Sequence, residues 1–390
     1  MFWTLSIAWA QLLHQKVQTV ITILGITFTA ILLFMQIGFR IGLLESSAQL
    51  ANSFQSDIVI TSRASPAFTV SMPFSERRLD QTLAFDEVES VTPVYKTFTT
   101  VKKGPDQADF MSTVTVIGFP PNNDVIALPG VPENLDNLKK DGFFLLDRRS
   151  RPELQPLIDR VRTEGVAETD ITTLGFQRKK IDFVGLFEMG ANPFSNGSIL
   201  TSESEFLKDF GFHKGEISAG LVHVKPGTDV DNLIQKLRLY LPDDVKVMSK
   251  KDLIQEDKTY IEQSSPMGIV ILFSMTFSMI IGVVILYQVL YQNISRFIKE
   301  YATLKAIGYG DGFLSAIVLE QVFIFAITGY IPGFIASIFI YNAMADATRM
   351  KFEMTTSTAA LIFILTLLIC GVSGLIATNK LKEADPVDVF

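Results

Sequence analysis

Residues 300–309 read EYATLKAIGY, a charged and amphipathic segment between two long apolar runs. Gly308, Gly310 and Gly312 end it, and glycine directly behind an apolar-periodic segment is a helix C-terminal signal. The apolar or small positions at helical spacing are Phe297, Tyr301, Leu304 and Gly308, and the charged positions are Arg296, Lys299, Glu300 and Lys305. The pattern predicts a one-sided helix at a membrane surface, open to a partner in the aqueous phase.

Four apolar runs, each of about 20 residues or more, determine the class of the protein. They lie near Val17–Leu44, Met267–Tyr291, Phe313–Tyr341 and Thr358–Ala377. A helix of about 20 residues crosses the roughly 30 Å hydrocarbon layer of a bilayer. The predicted fold class is therefore an α-helical membrane protein with four transmembrane helices and a large α+β extracytoplasmic domain.

The apolar runs also predict the order of segments along the chain. An amphipathic interfacial helix (1–16) precedes transmembrane helix 1 with its stalk (17–50), a periplasmic domain (51–262), transmembrane helix 2 (263–292), a cytoplasmic coupling segment (293–312), transmembrane helix 3 (313–342), a periplasmic loop (343–357), transmembrane helix 4 (358–378) and a cytoplasmic tail (379–390). The first segment carries Trp3 and Trp9 and is too short to span, which favours a position among the headgroups. A cleaved signal peptide is the alternative interpretation.

Lysine and arginine in the short connections indicate the orientation. One side carries Lys16, Arg296, Lys299, Lys305, Lys380 and Lys382, and the loop between the third and fourth runs carries Arg349 and Lys351. The richer side is predicted to be cytoplasmic, so the termini and the coupling segment lie there and the large domain lies outside. Arg40, just beyond the first run, opposes this assignment.

Strand and helix patterns frame the large domain at both ends. They are a strand at Asp57–Ile60, a helix at Ser75–Val88 and a strand at Val91–Lys102, then a strand at Ser218–Lys225, a helix at Asp229–Leu241 and a strand at Asp244–Met248. Thr228 and Asp231 fit a capping box, and Leu233, Ile234 and Leu237 fit a buried stripe. One α+β lobe built from 51–119 and 216–262 is the economical solution, because the chain leaves and returns to the membrane at adjacent helices.

The segment 120–215 is less regular, with short strands such as Lys180–Phe187, and is predicted to form an inserted lobe. Its charged run Asp147–Arg151 is interpreted as a solvated turn.

An apolar stripe continues beyond the first run, at Ile37, Ile41, Leu44, Ala48 and Ala51. Its spacing is that of a short heptad repeat. Two interpretations stay open. The stripe packs against the adjoining domain, or it forms a stalk that pairs with the segment before the second run, where Leu253, Tyr260 and Met267 could face it.

The third run contains Glu320 and the pair Gly329 and Gly333 around Pro332. A carboxylate in an apolar helix is costly, so Glu320 either reaches water near the interface or lies at a helix interface beside the coupling segment. A Gly-x-x-x-Gly pair permits close helix approach, and it is a candidate dimer face.

Several function classes are excluded or disfavoured. The net charge of -7, without a basic face, argues against a nucleic-acid partner. The chain has one cysteine, Cys370, so no intrachain disulfide forms, and its three histidines lie apart, so no metal site is expected. No Gly-Lys dipeptide occurs, so no P-loop is present. We expect no catalytic residue, no metal and no cofactor in this chain, and a membrane-anchored enzyme is a remote alternative.

The motif Glu-x-Ala-x-Leu-Lys-Ala-Ile-Gly at Glu300–Gly308, between the second and third of four runs, resembles the coupling segment of the FtsX-like permeases. This is the family of MacB and of the lipoprotein-releasing LolC and LolE subunits. Topology and motif together cover nearly the whole chain. Its length, its amphipathic start and its tail, Glu383-Ala-Asp-Pro-Val, are most similar to the DevC-like permeases of cyanobacterial exporters.

The resemblance implies a porter-like lobe interrupted by a mostly β lobe, and a role as permease subunit of a mechanotransmission-type ABC exporter. It implies a cytoplasmic DevA-like ABC ATPase that binds ATP and Mg, a periplasmic DevB-like adaptor, a TolC-like outer-membrane channel, a homodimer in a bacterial inner membrane, and glycolipid or another amphiphile as cargo. An FtsX-like signalling scaffold that activates a periplasmic enzyme and a LolC/LolE-like subunit are the alternatives.

The same resemblance implies roles for particular residues. The residues expected to couple to the ATPase are Arg296, Lys299, Glu300, Tyr301, Ala302, Leu304, Lys305, Ala306, Gly308 and Tyr309. The residues expected at the membrane helix interface are Glu320, Gly329 and Gly333. The residues expected in the stalk are Ile37, Ile41, Leu44 and Ala48.

Overall fold

A computed structural model describes residues 16–102, 111–121, 125–213 and 215–382. The described residues fall into two compact units. The helical unit contains residues 16–41, 269–343 and 352–382, and the mixed unit contains the described residues of 42–268 together with 344–351. The predicted interfacial helix, apart from Lys16, and the tail from residue 383 onward lie outside the described residues.

The described helices and strands are numbered along the chain. The helices are α1 (Lys16–Ser47), α2 (Gln49–Ser53), α3 (Arg77–Asp80), α4 (Leu135–Leu138), α5 (Gln155–Glu164), α6 (Glu203–Phe210), α7 (Val230–Tyr240), α8 (Lys250–Thr259), α9 (Pro266–Arg296), α10 (Ile298–Ala306), α11 (Asp311–Thr348) and α12 (Thr356–Lys382). The strands are β1 (Ile58–Ser62), β2 (Phe74–Ser75), β3 (Val88–Lys102), β4 (Met111–Phe119), β5 (Phe143–Asp147), β6 (Ala167–Thr172), β7 (Arg178–Phe187), β8 (Ser198–Ser202), β9 (Glu216–Ile217), β10 (Ala219–Val224) and β11 (Val245–Ser249).

Four helices, α1, α9, α11 and α12, are long and apolar enough to cross a membrane. Each contains one of the four predicted runs, so the predicted number and position of the apolar helices are confirmed. Small residues let these helices approach closely. A Cβ atom on Gly282 of α9 would lie 2.7 Å from Thr29 Cγ2 of α1, and one on Gly374 of α12 would lie 2.9 Å from Val322 Cγ2 of α11.

The mixed unit is built on a nine-stranded sheet in the order β11-β1-β10-β3-β4-β8-β5-β7-β6. The 15-residue strand β3 pairs with β10 through Val88–Val94 and with β4 through Tyr95–Lys102. Val101 of β3 also pairs with Ile171 of β6. Strands β3, β4, β8, β5, β7 and β6 therefore form a closed ring, while β11, β1 and β10 extend it on one side.

The ring takes its strands from both of the predicted lobes. Segment 120–215 contributes only β5 to β8, and the ring closes only with β3 and β4, which the sequence analysis assigned to the other lobe. A closed ring leaves no unpaired strand edge, which is why these strands stay together. The lobe boundaries themselves stay a prediction.

Two buried hydrophobic clusters form the core of the mixed unit. Successive residues of a strand alternate between them, because strand side chains point to opposite faces. On β5, Phe144 and Leu146 belong to one cluster and Leu145 to the other. The first cluster includes the predicted stripe Leu233, Ile234 and Leu237 on α7, which is confirmed as buried.

Three local predictions in the mixed unit are wrong. The helix at Ser75–Val88 is confined to α3 and a 3-10 turn at Gln81–Ala84, because Leu79 is the only large apolar side chain buried within those two short elements. The capping box at Thr228 and Asp231 does not form. The N-cap is Asp229, which has extended backbone and accepts a hydrogen bond from Asn232 N.

The third wrong prediction concerns the charged run Asp147–Arg151. Asp147 is fully buried at the end of β5, and Ser150 is also buried. Asp147 accepts three backbone N–H groups, from Arg149, Met189 and Gly190. Burial is therefore compensated by hydrogen bonds from partners distant in sequence, which a local pattern does not reveal.

Candidate functional site

The segment between α9 and α11 forms the predicted short helix, α10. It ends in a Schellman motif: Gly308 N donates to Lys305 O at 2.9 Å, and Tyr309 N donates to Leu304 O at 3.1 Å. Gly308 has a φ of +107°, a left-handed conformation that favours glycine. The predicted helix stop at Gly308 is confirmed.

One face of α10 is buried in the helical unit. Phe297, Tyr301 and Ala302 are all buried. The Tyr301 hydroxyl faces the side chain of Gln321 on α11, and burial raises the pKa of the Tyr301 phenol. Tyr301 and Ala302, which the sequence analysis placed among the ATPase-coupling residues, are thus turned inward. They can hold α10 in place but cannot touch a docking partner.

Two further contacts join the end of α10 to the start of α11. The Lys305 ammonium lies 2.9 Å from a carboxylate oxygen of Asp311. The rings of Tyr309 and Phe313 stack with centroids 4.5 Å apart. These two contacts join the end of α10 to the N-terminal turn of α11.

The opposite face of α10 is exposed. We call it the coupling face, and it consists of Lys299, Glu300, Thr303, Ala306 and Ile307. The Ile307 side chain is 70% exposed. Of the other proposed coupling residues, Arg296, Gly308 and Tyr309 are exposed, and Leu304 and Lys305 are half-buried. Sequence reasoning omitted Thr303 and Ile307, although their spacing from Lys299 and Glu300 places them on one helix face.

Gly329 and Gly333 pack inside the chain, against α1. A Cβ atom on Gly329 would lie 2.6 Å from Ile26 Cγ2, and one on Gly333 would lie 2.9 Å from Ala30 Cβ. Both glycines form a helix interface, as predicted. They are occupied by a helix of the same chain, so their interpretation as a candidate dimer face is wrong.

Glu320 is half-buried on α11, next in sequence to the buried Gln321. Gln321 lies beside the Tyr301 hydroxyl of α10. The sequence gives little signal for Gln321, because an uncharged amide in an apolar helix is less costly than a carboxylate. The choice between an interfacial and a functional role for Glu320 stays open.

The stalk residues lie on the C-terminal half of α1 and directly after it. Ile37, Leu44 and Ala48 are buried and Ile41 is half-buried. Within the mixed unit, Leu50 and Ala51 of α2 share a hydrophobic cluster with Leu253 of α8, and Lys258 forms an ion pair with Glu45. The same cluster contains Val59 of β1 and Leu221 of β10, so both interpretations stay open: packing against the adjoining domain and pairing with the segment before the second run.

The described residues provide no metal site. No group of three or more His, Cys, Asp or Glu side chains within 16–102, 111–121, 125–213 and 215–382 could hold an ion. The expectation that this chain binds neither metal nor cofactor stays a prediction.

One family model matches the C-terminal part of the chain. Residues 272–386 match the family model of the FtsX-like permease C-terminal domain. A search of curated proteins found no match.

Solved structures resemble about half of the chain, all at low identity. The extracellular domain of the noncanonic ABC-type transporter YknZ from Gram-positive bacteria aligns at 12% identity over 50% of this chain and 99% of that chain, with a TM-score of 0.33. The periplasmic region of MacB from Actinobacillus actinomycetemcomitans aligns at 12% identity over 55% and 95%, with a TM-score of 0.34. A domain of a putative permease protein from Porphyromonas gingivalis aligns at 13% identity over 50% and 89%, with a TM-score of 0.29.

The matched segment begins inside α9 and contains α10, α11 and the described part of α12. The part of the chain that contains α10, α11, the described part of α12 and most of α9 is therefore similar to the FtsX-like permease C-terminal domain.

Proposed function

We propose that this chain is the permease subunit of a mechanotransmission-type ABC exporter, similar to the DevC-like permeases. A separate DevA-like ATPase binds ATP and Mg and docks on the coupling face. Two copies of the chain serve the two ATPase subunits. The mixed unit moves an amphiphile such as a glycolipid from the periplasmic side toward a DevB-like adaptor and a TolC-like channel. The setting is a bacterial inner membrane, cyanobacterial by the resemblance, with the termini in the cytoplasm.

The observation that carries this proposal is the position of α10. On its buried side the Tyr301 hydroxyl lies beside Gln321 of α11, its C-terminal end contacts α11 through Lys305 and Tyr309, and its other side is open. A partner that pushes on the exposed side acts on a short helix that is joined to the long apolar helix α11 by the four residues 307–310. The family match over residues 272–386 supports the same assignment. Because the sequence contains no P-loop, the energy has to come from another chain.

Purification of the tagged chain from the membranes of its own host tests the proposal. The variant Ile307→Asp places a charge at the apolar position of the coupling face. Leu239→Asp is the matched control, because Leu239 is 90% exposed in the mixed unit. We expect a protein with a P-loop sequence and ATPase activity to co-purify with wild type and with Leu239→Asp, and at least about tenfold less with Ile307→Asp, the loss expected for about 1.4 kcal/mol of binding energy.

Equal recovery of the ATPase with both variants would contradict docking of the ATPase on the coupling face. Co-purification of a wall hydrolase in place of an adaptor would favour the FtsX-like signalling scaffold. Co-purification with a lipoprotein would favour the LolC/LolE-like role.

A further inference from the structure

Asp147 is a buried acid whose carboxylate organises one turn of the mixed unit. Its Oδ1 atom accepts hydrogen bonds from Met189 N at 3.0 Å and from Arg149 N at 2.9 Å, and its Oδ2 atom accepts one from Gly190 N at 2.7 Å. Hydrogen bonds to a charged acceptor are stronger than neutral ones. The turn Met189–Ala191 is therefore held in one conformation by a side chain at the end of β5.

This turn contacts the segment that joins α11 to α12. Ala191 N donates to Arg349 O at 3.3 Å. Gly190 has a φ of +116°, and a Cβ atom there would lie 3.2 Å from the same Arg349 oxygen. On the other side of the segment, Lys351 N donates to Ser46 Oγ, also at 3.3 Å. The joining segment is thus anchored both to the β-ring and to the end of α1.

The anchored segment is held at an energetic cost. Arg349 has a φ of +56°, which a residue with a Cβ atom seldom adopts. In the described part of the chain, the buried atoms Arg349 Nε and Gln49 Oε1 have no hydrogen-bond partner, and leaving buried polar atoms unpaired is unfavourable. The conformation persists because the Met189–Ala191 turn and Ser46 hold it. Loosening either contact should release it.

We propose that the turn Met189–Ala191 and the segment Arg349–Lys351 form a latch, with Asp147 as its positioning residue. The latch holds the segment that joins α11 to α12 against the β-ring and against Ser46, within the mixed unit. We further infer that the latch passes movement of α11 and α12 into the β-ring, and this role rests on the proposed function. The existence of the latch as a closed contact does not depend on the proposed function.

The first experiment measures closure of the latch without any partner. In full-length protein with Cys370→Ala, the substitution Met350→Cys puts a thiol at a position that is 3% exposed inside the latch. We then compare Gly190→Ala with Gly165→Ala. Both glycines have left-handed backbone, at φ +116° and φ +80°, but a Cβ atom at Gly165 meets nothing within 4 Å. Both substitutions strain the backbone. Only at Gly190 does the added Cβ atom also lie close to the Arg349 oxygen, at 3.2 Å, and to the Gln49 side chain, at 3.3 Å.

We expect the thiol introduced by Met350→Cys to react with a maleimide about tenfold faster in Gly190→Ala than in the parent, because the added methyl group forces the latch open. In Gly165→Ala the rate should match the parent. Equal rates in all three proteins would overturn the proposal. Should Gly190→Ala not fold, Ser46→Ala removes the acceptor for Lys351 N and is expected to give the same acceleration; an unchanged rate there would overturn the proposal equally.

The second experiment separates the latch from the proposed function. In the complex with the ATPase, Gly190→Ala should keep docking and basal ATP hydrolysis, since the coupling face is untouched. It should lose any ATP-dependent change in the accessibility of a thiol introduced at the exposed Leu239 of the mixed unit. A retained ATP-dependent change would overturn the transmitting role. Failure to find any ATPase would remove the proposed function and leave the first experiment's result standing.

Discussion

The Thr27 hydroxyl donates a hydrogen bond to the Gly329 carbonyl oxygen at 3.0 Å, across the interface between α1 and α11. Such a contact requires the two backbones to lie very close, and the glycine makes that possible. Pro332 stands one turn later inside α11, and Gly333 continues the same close approach to Ala30.

Enlarging either glycine should destabilise the chain. Gly329→Leu or Gly333→Leu places side-chain atoms where Ile26 or Ala30 lies, and overpacking of this kind costs about 1–3 kcal/mol. The matched control is Gly371→Leu on α12, where a Cβ atom meets nothing within 4 Å. Thermal unfolding of the detergent-solubilised protein should show a lower midpoint for the first two variants only. A midpoint lowered as much by Gly371→Leu would contradict the assigned interface.

Tyr301 should matter for the placement of α10 through its ring. Tyr301→Ala leaves a cavity at a fully buried position, which costs about 3–5 kcal/mol for aromatic residues. Tyr301→Phe keeps the ring and loses only the hydroxyl beside Gln321, at a cost of about 1 kcal/mol. Tyr309→Ala, at a more exposed site, is the comparison. We expect Tyr301→Ala to lower the unfolding midpoint more than either Tyr301→Phe or Tyr309→Ala. A decrease for either of these two variants as large as that for Tyr301→Ala would argue against α10 being held by Tyr301.

Asp257 should make stability depend on pH. Burial raises the pKa of this carboxyl, on α8, to about 6, while Thr69 N donates to it. A folded-state pKa above the unfolded value stabilises the fold below about pH 4, and that contribution is lost as the pH rises through 6. Its size is at most about 3 kcal/mol, for a shift of roughly two pKa units.

Asp257→Asn keeps the acceptor and removes the titration. The stability of the variant relative to wild type should therefore increase between pH 4 and pH 7, measured as the free energy of unfolding at each pH. A difference between the two proteins that stays constant over this range would contradict a buried, titrating Asp257.

The N-cap of α7 offers a test of one corrected prediction. Asp229 accepts from Asn232 N at 3.1 Å, so Asp229→Ala should lower the stability by about 1 kcal/mol. Thr228→Ala should change it by much less, although the sequence pattern favours Thr228 as the cap. Denaturant midpoints for the two variants decide between the positions, and a larger effect at Thr228 would restore the capping box.

The sequence was sufficient for features that depend on local spacing. The four apolar runs predict α1, α9, α11 and α12, because hydrophobic length alone marks a helix that can span a bilayer. Gly308 predicts the end of α10 through its backbone freedom. The alternation of apolar and polar residues predicts the strand Lys180–Phe187, which is confirmed as part of β7.

Features that depend on partners distant along the chain could not be predicted from it. The closure of the ring through Val101 and Ile171 joins strands 70 residues apart, and periodicity carries no information on such pairing. Asp147 appeared as part of a charged turn because its partners, Met189 and Gly190, lie some 40 residues away. Ile307 could not be recognised as exposed for a different reason: an apolar side chain in an amphipathic helix is usually buried.

The central claim is that a push received at the coupling face on one side of the membrane reaches the mixed unit on the other side. Sidedness tests it most directly. In protein with Cys370→Ala, a single cysteine replaces either Thr303 on the coupling face or Glu153 in the mixed unit. Both positions are exposed. A membrane-impermeant maleimide is then applied to intact spheroplasts and to inverted vesicles. We expect Glu153→Cys to be labelled only in spheroplasts and Thr303→Cys only in inverted vesicles. Labelling of both positions from the same side would leave the transmission without an input and would contradict the account.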